Sequence, residues 1–224
     1  MKESNTTSAS VTMTEATRLT RLKDRGHYDY TTINHILDDG ILCHIGFEWE
    51  GRQIVLPTAY ARHEQQVIIH GAVNGRFFKA LANGAPCCLT VSHLDGLVLA
   101  RSAFHHSVNY RCVMLMGKMT PLLSLEDKRT ALDHFMRVCI PGRLEDNIRP
   151  SSDKELNATA VLTMDITEAS AKVRTGGPKD DDSDMQLPVW AGVIEKQPST
   201  YQSVTDANSP VPVDTPDYID ALRF

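Results

Sequence analysis

Along Ile41-Leu42-Cys43-His44-Ile45-Gly46-Phe47 every second residue is apolar, so Ile41, Cys43, Ile45 and Phe47 share one face of a strand. Glu50-Gly51 reads as a turn into a second strand, Gln53 to Tyr60, and Gln66 to Gly71 reads as a third. Pro57 lies inside the second run, which marks an edge, a bulge or a backbone left free for something else. Apolar runs Cys87 to His93 and Gly96 to Phe104 flank Leu94-Asp95-Gly96, a hairpin signal. Arg111 to Thr120, Val161 to Ile166 and Leu187 to Ile194 complete the strands. Helical spacing appears three times: Ile33, Ile36 and Leu37 within Thr31–Asp38; Phe77, Phe78 and Leu81 within Asn74–Leu81; and Leu132, Phe135, Met136 and Cys139 within Glu126–Cys139. Closely spaced strands with few helices between them predict a mainly β fold, an antiparallel sheet or barrel with peripheral helices. A doubly wound α/β fold is excluded, because it needs a helix between most strands.

Composition adds limits. The chain has 224 residues, 42% hydrophobic and 23% charged, as expected of one soluble globular domain. No run approaches the roughly 20 apolar residues of a membrane helix. Met1 to Thr17 lacks the apolar core of a secretory signal, so a cytoplasmic protein is expected, without a membrane partner. A net charge of −5 with scattered cations argues against nucleic acid as a partner. The five cysteines are odd in number and include no CxxC pair, which fits a reducing compartment. Among nine histidines only His105 and His106 are adjacent, and no metal site is expected. Asp180-Asp181-Asp182 with Asp184 reads as an exposed acidic loop, since the spacing is not that of an EF-hand. Residues 1–17 are expected to form a disordered arm, 18–196 the domain, and 197–224 an extended tail.

No GxGxxG, GxxxxGK[ST], GxSxG or HExxH motif is present. One segment with chemical potential is His70-Gly71-Ala72-Val73-Asn74-Gly75-Arg76-Phe77-Phe78-Lys79. It runs from a strand end through a turn into a first helical turn, where free N–H groups, Arg76 and Lys79 suit a phosphate. The same residues also read as a solvated basic turn. A second is Ala100 to Arg111, where polar groups, aromatics and two arginines crowd between apolar strands. It reads either as a site at a barrel rim or as a hydrogen-bonded corner. Trp190 on a late strand is either core or a platform for a planar ligand.

Read in order, several motifs carry a resemblance. They are Tyr28-Asp29, Ile36-Leu37-Asp38-Asp39-Gly40, Cys43-His44-Ile45-Gly46-Phe47, Leu56-Pro57-Thr58, His70-Gly71 and Gly96-Leu97-Val98-Leu99-Ala100-Arg101-Ser102. His106-Ser107-Val108-Asn109-Tyr110-Arg111, Pro141-Gly142-Arg143, Ala171-Lys172-Val173-Arg174, Gly176-Gly177-Pro178 and Val189-Trp190-Ala191-Gly192-Val193 continue the series. The chain resembles, over about residues 18–196, the pyridoxamine 5′-phosphate oxidase-related FMN-binding family, in the branch that also holds nitroimidazole-resistance proteins.

The resemblance implies an FMN-binding split β-barrel, antiparallel and Greek-key-like, acting as a homodimer with FMN at the subunit interface. The flavin ring would lie along Leu56, Pro57 and Thr58. Its phosphate would be held by His70, Gly71, Arg76 and Lys79, and a further strand would contribute Asn109, Arg111 and Cys112. Cys112 and Ala72 stand where relatives often have serine, which removes about 0.5–1.5 kcal/mol of hydrogen bonding each. The implied activity is an FMN-dependent oxidoreductase reaction on a small molecule, such as a nitroaromatic, a quinone or a pyridoxal-like compound, with NAD(P)H as reductant. His70 and His105 are candidates for proton transfer near the ring. The alternatives are a non-catalytic flavin store or redox sensor, and a haem-binding relative with a histidine iron ligand. Pyridoxamine phosphate oxidation itself is not expected, because the chain ends Asp220-Ala221-Leu222-Arg223-Phe224 rather than in an arginine-rich segment.

Overall fold

A computed structural model describes residues 9–198, 202–206, 208–209 and 214–222. The first helix, α1 (Tyr30–Asp38), starts where the Asp29 carboxylate accepts from Thr32 N–H at 2.8 Å. It buries Ile33, Ile36 and Leu37 against the sheet. Among the described residues there are ten strands, of which the first precedes α1: β1 (Gly26–His27), β2 (Leu42–Trp49), β3 (Arg52–His63), β4 (Gln66–Ala72), β5 (Pro86–Leu99), β6 (Ser107–Lys118), β7 (Thr120–Pro121), β8 (Thr159–Asp165), β9 (Glu168–Arg174) and β10 (Gly192–Glu195). Their order is β1-β9-β6-β5-β2-β3-β4-β8-β7, with β10 beside β5, and every pairing is antiparallel.

The sheet curls because β3 changes partners along its length. Arg52 to Ala59 pair with β2, whereas Tyr60 to His63 pair with β4. One core fills the curl, with Cys43, Ile45, Phe47, Leu89, Val113 and Leu115 inside. A second core lies outside β3, β4 and β8, where α3 (Leu125–Cys139) packs Ala131, Phe135 and Cys139 against Ala61, Ile68 and Val161. Strands β4 and β8 are therefore buried on both faces, and they read as continuous apolar runs, not alternating ones. The remaining α-helices are α2 (Arg76–Ala82) and α4 (Asp153–Ala158). This is the expected split β-barrel. Among the described residues, no helix is long and apolar enough to cross a membrane.

Several expectations need correction. Leu94-Asp95-Gly96 is not a hairpin: β5 runs unbroken from Pro86 to Leu99, with a bulge between Leu94 and Gly96. Asp95 is the extra residue, and Gly96 is needed for another reason. A Cβ there would come 2.8 Å from the Ile194 carbonyl oxygen on β10. Of Leu187–Ile194 only the end is strand, because Gly192 onward is where β10 meets β5. Strand β9 and helix α4 had no separate signal. The arm expected to be disordered packs against the sheet over residues 9–17. Ser10 bridges Asp29, Thr12 bridges Glu168, and Val11 is buried. Residues 1–8 lie outside the described residues, as do 199–201, 207, 210–213 and 223–224 of the expected tail. Part of that tail docks: Tyr218 donates its hydroxyl to Asp146, and its ring covers Gly142.

Candidate functional site

The parting of β3 from β4 arranges the candidate residues. Tyr60 opposes Ile69, but beyond that pair β4 stays with β8 down to Ala72–Thr159, and β3 keeps only β2. Leu56, Pro57 and Thr58 oppose Ile45, His44 and Cys43, and their other backbone edge has no ladder partner among the described residues. Proline is tolerated here because such an edge requires no N–H from it. Leu56 and Thr58 face inward with their partners, while Val55 and Pro57 face outward and are exposed.

Across the parting lie His70 and Gly71. His70 is on the α3 side of β4, its ring 4.6 Å from that of Phe135 in an edge-on contact. It lines a pocket of about 440 Å³ with Leu132, Phe135, Met136, Ile148 and Arg149. Its Nδ1 is buried without a hydrogen-bond partner, and burial pushes the imidazole below its ordinary value, toward the neutral form. Gly71 faces the other way, and a Cβ on it would sit 2.3 Å from the Phe78 ring of α2. The Arg76 guanidinium lies over Trp49 at 5.1 Å and Phe77 at 4.7 Å, and Arg76 and Lys79 are both exposed. Thus Arg76 has the Trp49 side of α2 for its neighbours and His70 has the α3 side.

Asn109, Arg111 and Cys112 lie on β6, and Arg111 does not open that strand; it is its fifth residue. Arg111 donates from Nε and Nη2 to Asp95, each at 3.0 Å, and from Nη1 to Asp39. Asn109 is buried, gives its amide to the Gly176 carbonyl at 3.2 Å, and accepts from Arg174. Cys112 opposes Ser92 and Lys172, and burial raises its thiol above the ordinary range. Trp190 is 64% exposed, with its ring against Gly192.

The partners that complete these groups, Asp39, Asp95 and Arg174, were not expected as site residues. Asp95 was hidden by its resemblance to a turn residue, and Arg174 appeared only within a motif. A further pair, Arg101 and Asp180, joins the loop after β5 to the loop after β9. Arg101 donates from its backbone N–H at 2.8 Å and from Nη1 at 2.9 Å, and the Asp180 side chain is 1% exposed.

The family described as "Pyridoxamine 5′-phosphate oxidase" matches residues 29–173. No curated protein matches the sequence. The flavocytochrome Anf3 from Azotobacter vinelandii is 40% identical, with a TM-score of 0.87, over 94% of this chain and 97% of that one. The FAD and heme binding protein from Mycobacterium smegmatis is 30% identical, with a TM-score of 0.83, over 89% of this chain and 97% of that one. A chain put forward as a 5-nitroimidazole antibiotic resistance protein from Bacteroides thetaiotaomicron shares the fold at 23% identity and TM-score 0.56, over 66% of this chain and 86% of that one. A match over residues 29–173, which contains the β3–β4 parting, makes this chain a member of the pyridoxamine 5′-phosphate oxidase family.

Proposed function

We propose that this protein is a flavin-dependent oxidoreductase that works as a homodimer. The observation that carries the reading is the unpaired backbone edge of Leu56-Pro57-Thr58 where β3 leaves β4. Such an edge offers backbone donors and acceptors to the rim of a planar heterocycle without breaking a ladder. Bound flavin supplies hydride and electron exchange. The chain's own residues bind and orient: the β3 edge sets the ring's position, Arg76 and Lys79 supply positive charge for a phosphate, and Trp190 offers an exposed aromatic face. The family points to FMN; the Mycobacterium smegmatis relative is named for FAD. Nitroaromatics and quinones are the substrate classes, with NAD(P)H as reductant. The five free cysteines fit a cytoplasmic setting.

The dimer is supported by apolar surface. Val108, Leu97 and Ile194 are adjacent on β6, β5 and β10 and are 39%, 45% and 50% exposed, while Leu42 and Val55 add to the outward face of β2 and β3. A contiguous apolar row of this kind is covered in most stable proteins.

One observation favours haem as a second group. His70 Nδ1 is a buried nitrogen without a partner, on a ring that burial holds toward the neutral form, in a pocket lined by Leu132, Phe135, Met136 and Ile148 together with Asp133, Arg137 and Arg149. That donor set fits an iron porphyrin with anionic side chains, in keeping with two relatives named for haem as well as flavin. The test is the absorption spectrum of the purified protein. Flavin bands that bleach with NAD(P)H support the oxidoreductase, and flavin inert to NAD(P)H leaves only a binder. A haem band lost in His70→Ala supports the second reading, and a colourless protein overturns both.

A further inference from the structure

His105 stands at the end of a 3₁₀ turn, Ala103–His105, between β5 and β6. Asp181 and Asp184 stand on a second 3₁₀ turn, Asp182–Asp184 with Asp181 as its N-cap, between β9 and β10. One ligand atom from each of the three side chains lies within 4.8 Å of the other two. We propose that His105, Asp181 and Asp184 bind a divalent transition-metal ion of the zinc class, which ties the two loops together.

Four observations support the assignment. The donors are one imidazole nitrogen and two carboxylate oxygens, a borderline set that suits zinc. The site does not depend on chance proximity, because the partly buried Arg101–Asp180 pair locks the two loops one residue from Asp181. A second clasp joins the same loop to the barrel, with Asn109 and Arg174 binding the carbonyls of Gly176 and Gly177. The imidazole is also already oriented: Ser102 Oγ lies 2.8 Å from Nδ1, and Nε2 has no hydrogen bond among the described residues. An imidazole held through its other nitrogen is the usual arrangement around zinc.

Electrostatics point the same way. Asp181 and Asp184 come together without an ion pair to a lysine or arginine among the described residues, since the nearby Arg101 is committed to Asp180. The Asp181 carboxylate does not cap its own turn either. Two such carboxylates repel one another, and a dication between them removes the repulsion. Three protein ligands leave positions for water or an external ligand. The same loop leads to Trp190, so ion binding orders the segment that presents the indole.

The inference does not depend on the flavin reading, and its test does not use activity. Metal-stripped full-length protein is titrated with Zn²⁺ in a calorimeter, with flavin and haem content recorded separately. The expected result is one saturable site per chain, weakened at least tenfold in Asp184→Asn and in His105→Ala, and about tenfold in Ser102→Ala. Asp184 is on a surface loop, and the unfolding midpoint of the metal-free variants shows that they fold. Binding of the same affinity in Asp184→Asn and His105→Ala would belong to other histidines and overturn the assignment. Absence of a saturable site in the unaltered protein would overturn it as well.

Discussion

Arg111 holds the Asp95 carboxylate through both Nε and Nη2, each at 3.0 Å, so the one bulged residue of β5 is fixed by the strand beside it. Asp39, at the end of α1, joins the same guanidinium. A residue proposed to meet an anionic cofactor is therefore already neutralised by two carboxylates within its own chain, and any phosphate at Arg111 must compete with them.

Arg111→Ala is expected to lower stability by about 1 kcal/mol, since all three side chains are partly exposed. Asp95→Asn isolates the cofactor role, because it removes one of the two carboxylates on the guanidinium, leaves Asp39 in place and keeps the bulge. If Arg111 serves the flavin, Arg111→Ala loses flavin on gel filtration and Asp95→Asn does not. Equal flavin content in both variants would confine Arg111 to a structural role.

Arg76→Ala tests the phosphate directly. Arg76 is exposed and, among the described residues, its guanidinium has aromatic contacts with Trp49 and Phe77 alone, so its removal is expected to leave the unfolding midpoint nearly unchanged. Flavin affinity should fall by roughly tenfold, the equivalent of one charge-assisted hydrogen bond. Fluorescence titration with FMN measures it, and unchanged affinity would remove Arg76 from the site.

His70 makes the fold sensitive to acid. Its folded-state value is lowered by burial, so below about pH 6.5 the unfolded chain takes up a proton that the folded chain resists. The stability tied to neutral His70 is present above that pH and is lost as pH falls. Urea unfolding at about pH 7.5 and pH 5 should show a smaller difference in His70→Gln than in the unaltered protein. An identical difference in both would assign the acid sensitivity elsewhere.

Gly71→Ala is expected to destabilise the protein by about 1–3 kcal/mol, because the new Cβ falls 2.3 Å from the Phe78 ring. Trimming that ring should recover part of the loss, so the Gly71→Ala, Phe78→Leu double variant is less destabilised than the sum of the singles. Strict additivity in thermal unfolding would show that the close approach does not set this glycine.

Helices α1, α2 and α3 were legible because an apolar stripe is a local pattern, and in α1 Ile33, Ile36 and Leu37 face the core as their spacing predicts, whereas the six-residue α4 is too short to show one. Leu94-Asp95-Gly96 was misread for the converse reason. An aspartate–glycine pair suits a turn and a bulge equally, and only the approach of β10 to Gly96 and the grip of Arg111 on Asp95 decide between them. The buried Val11 could not be foreseen, since a Ser- and Thr-rich segment reads as solvated until Asp29 and Glu168 are known to lie beside it. The candidate site was half legible. Leu56-Pro57-Thr58 announced an edge through its proline, whereas the opposite neighbours of His70 and Arg76 depend on which face of β4 meets α3.

The sequence by itself determined a mainly antiparallel barrel with peripheral helices, because side-chain periodicity is a local property of the backbone. Its ordered motifs also determined the family. Tertiary structure alone decided which distant groups meet: Arg111 with Asp95, Arg101 with Asp180, and His105 with Asp181 and Asp184. These contacts join segments far apart in the chain, and only strand order and register bring them within reach. The fold thus holds two loop clasps that no local pattern announces.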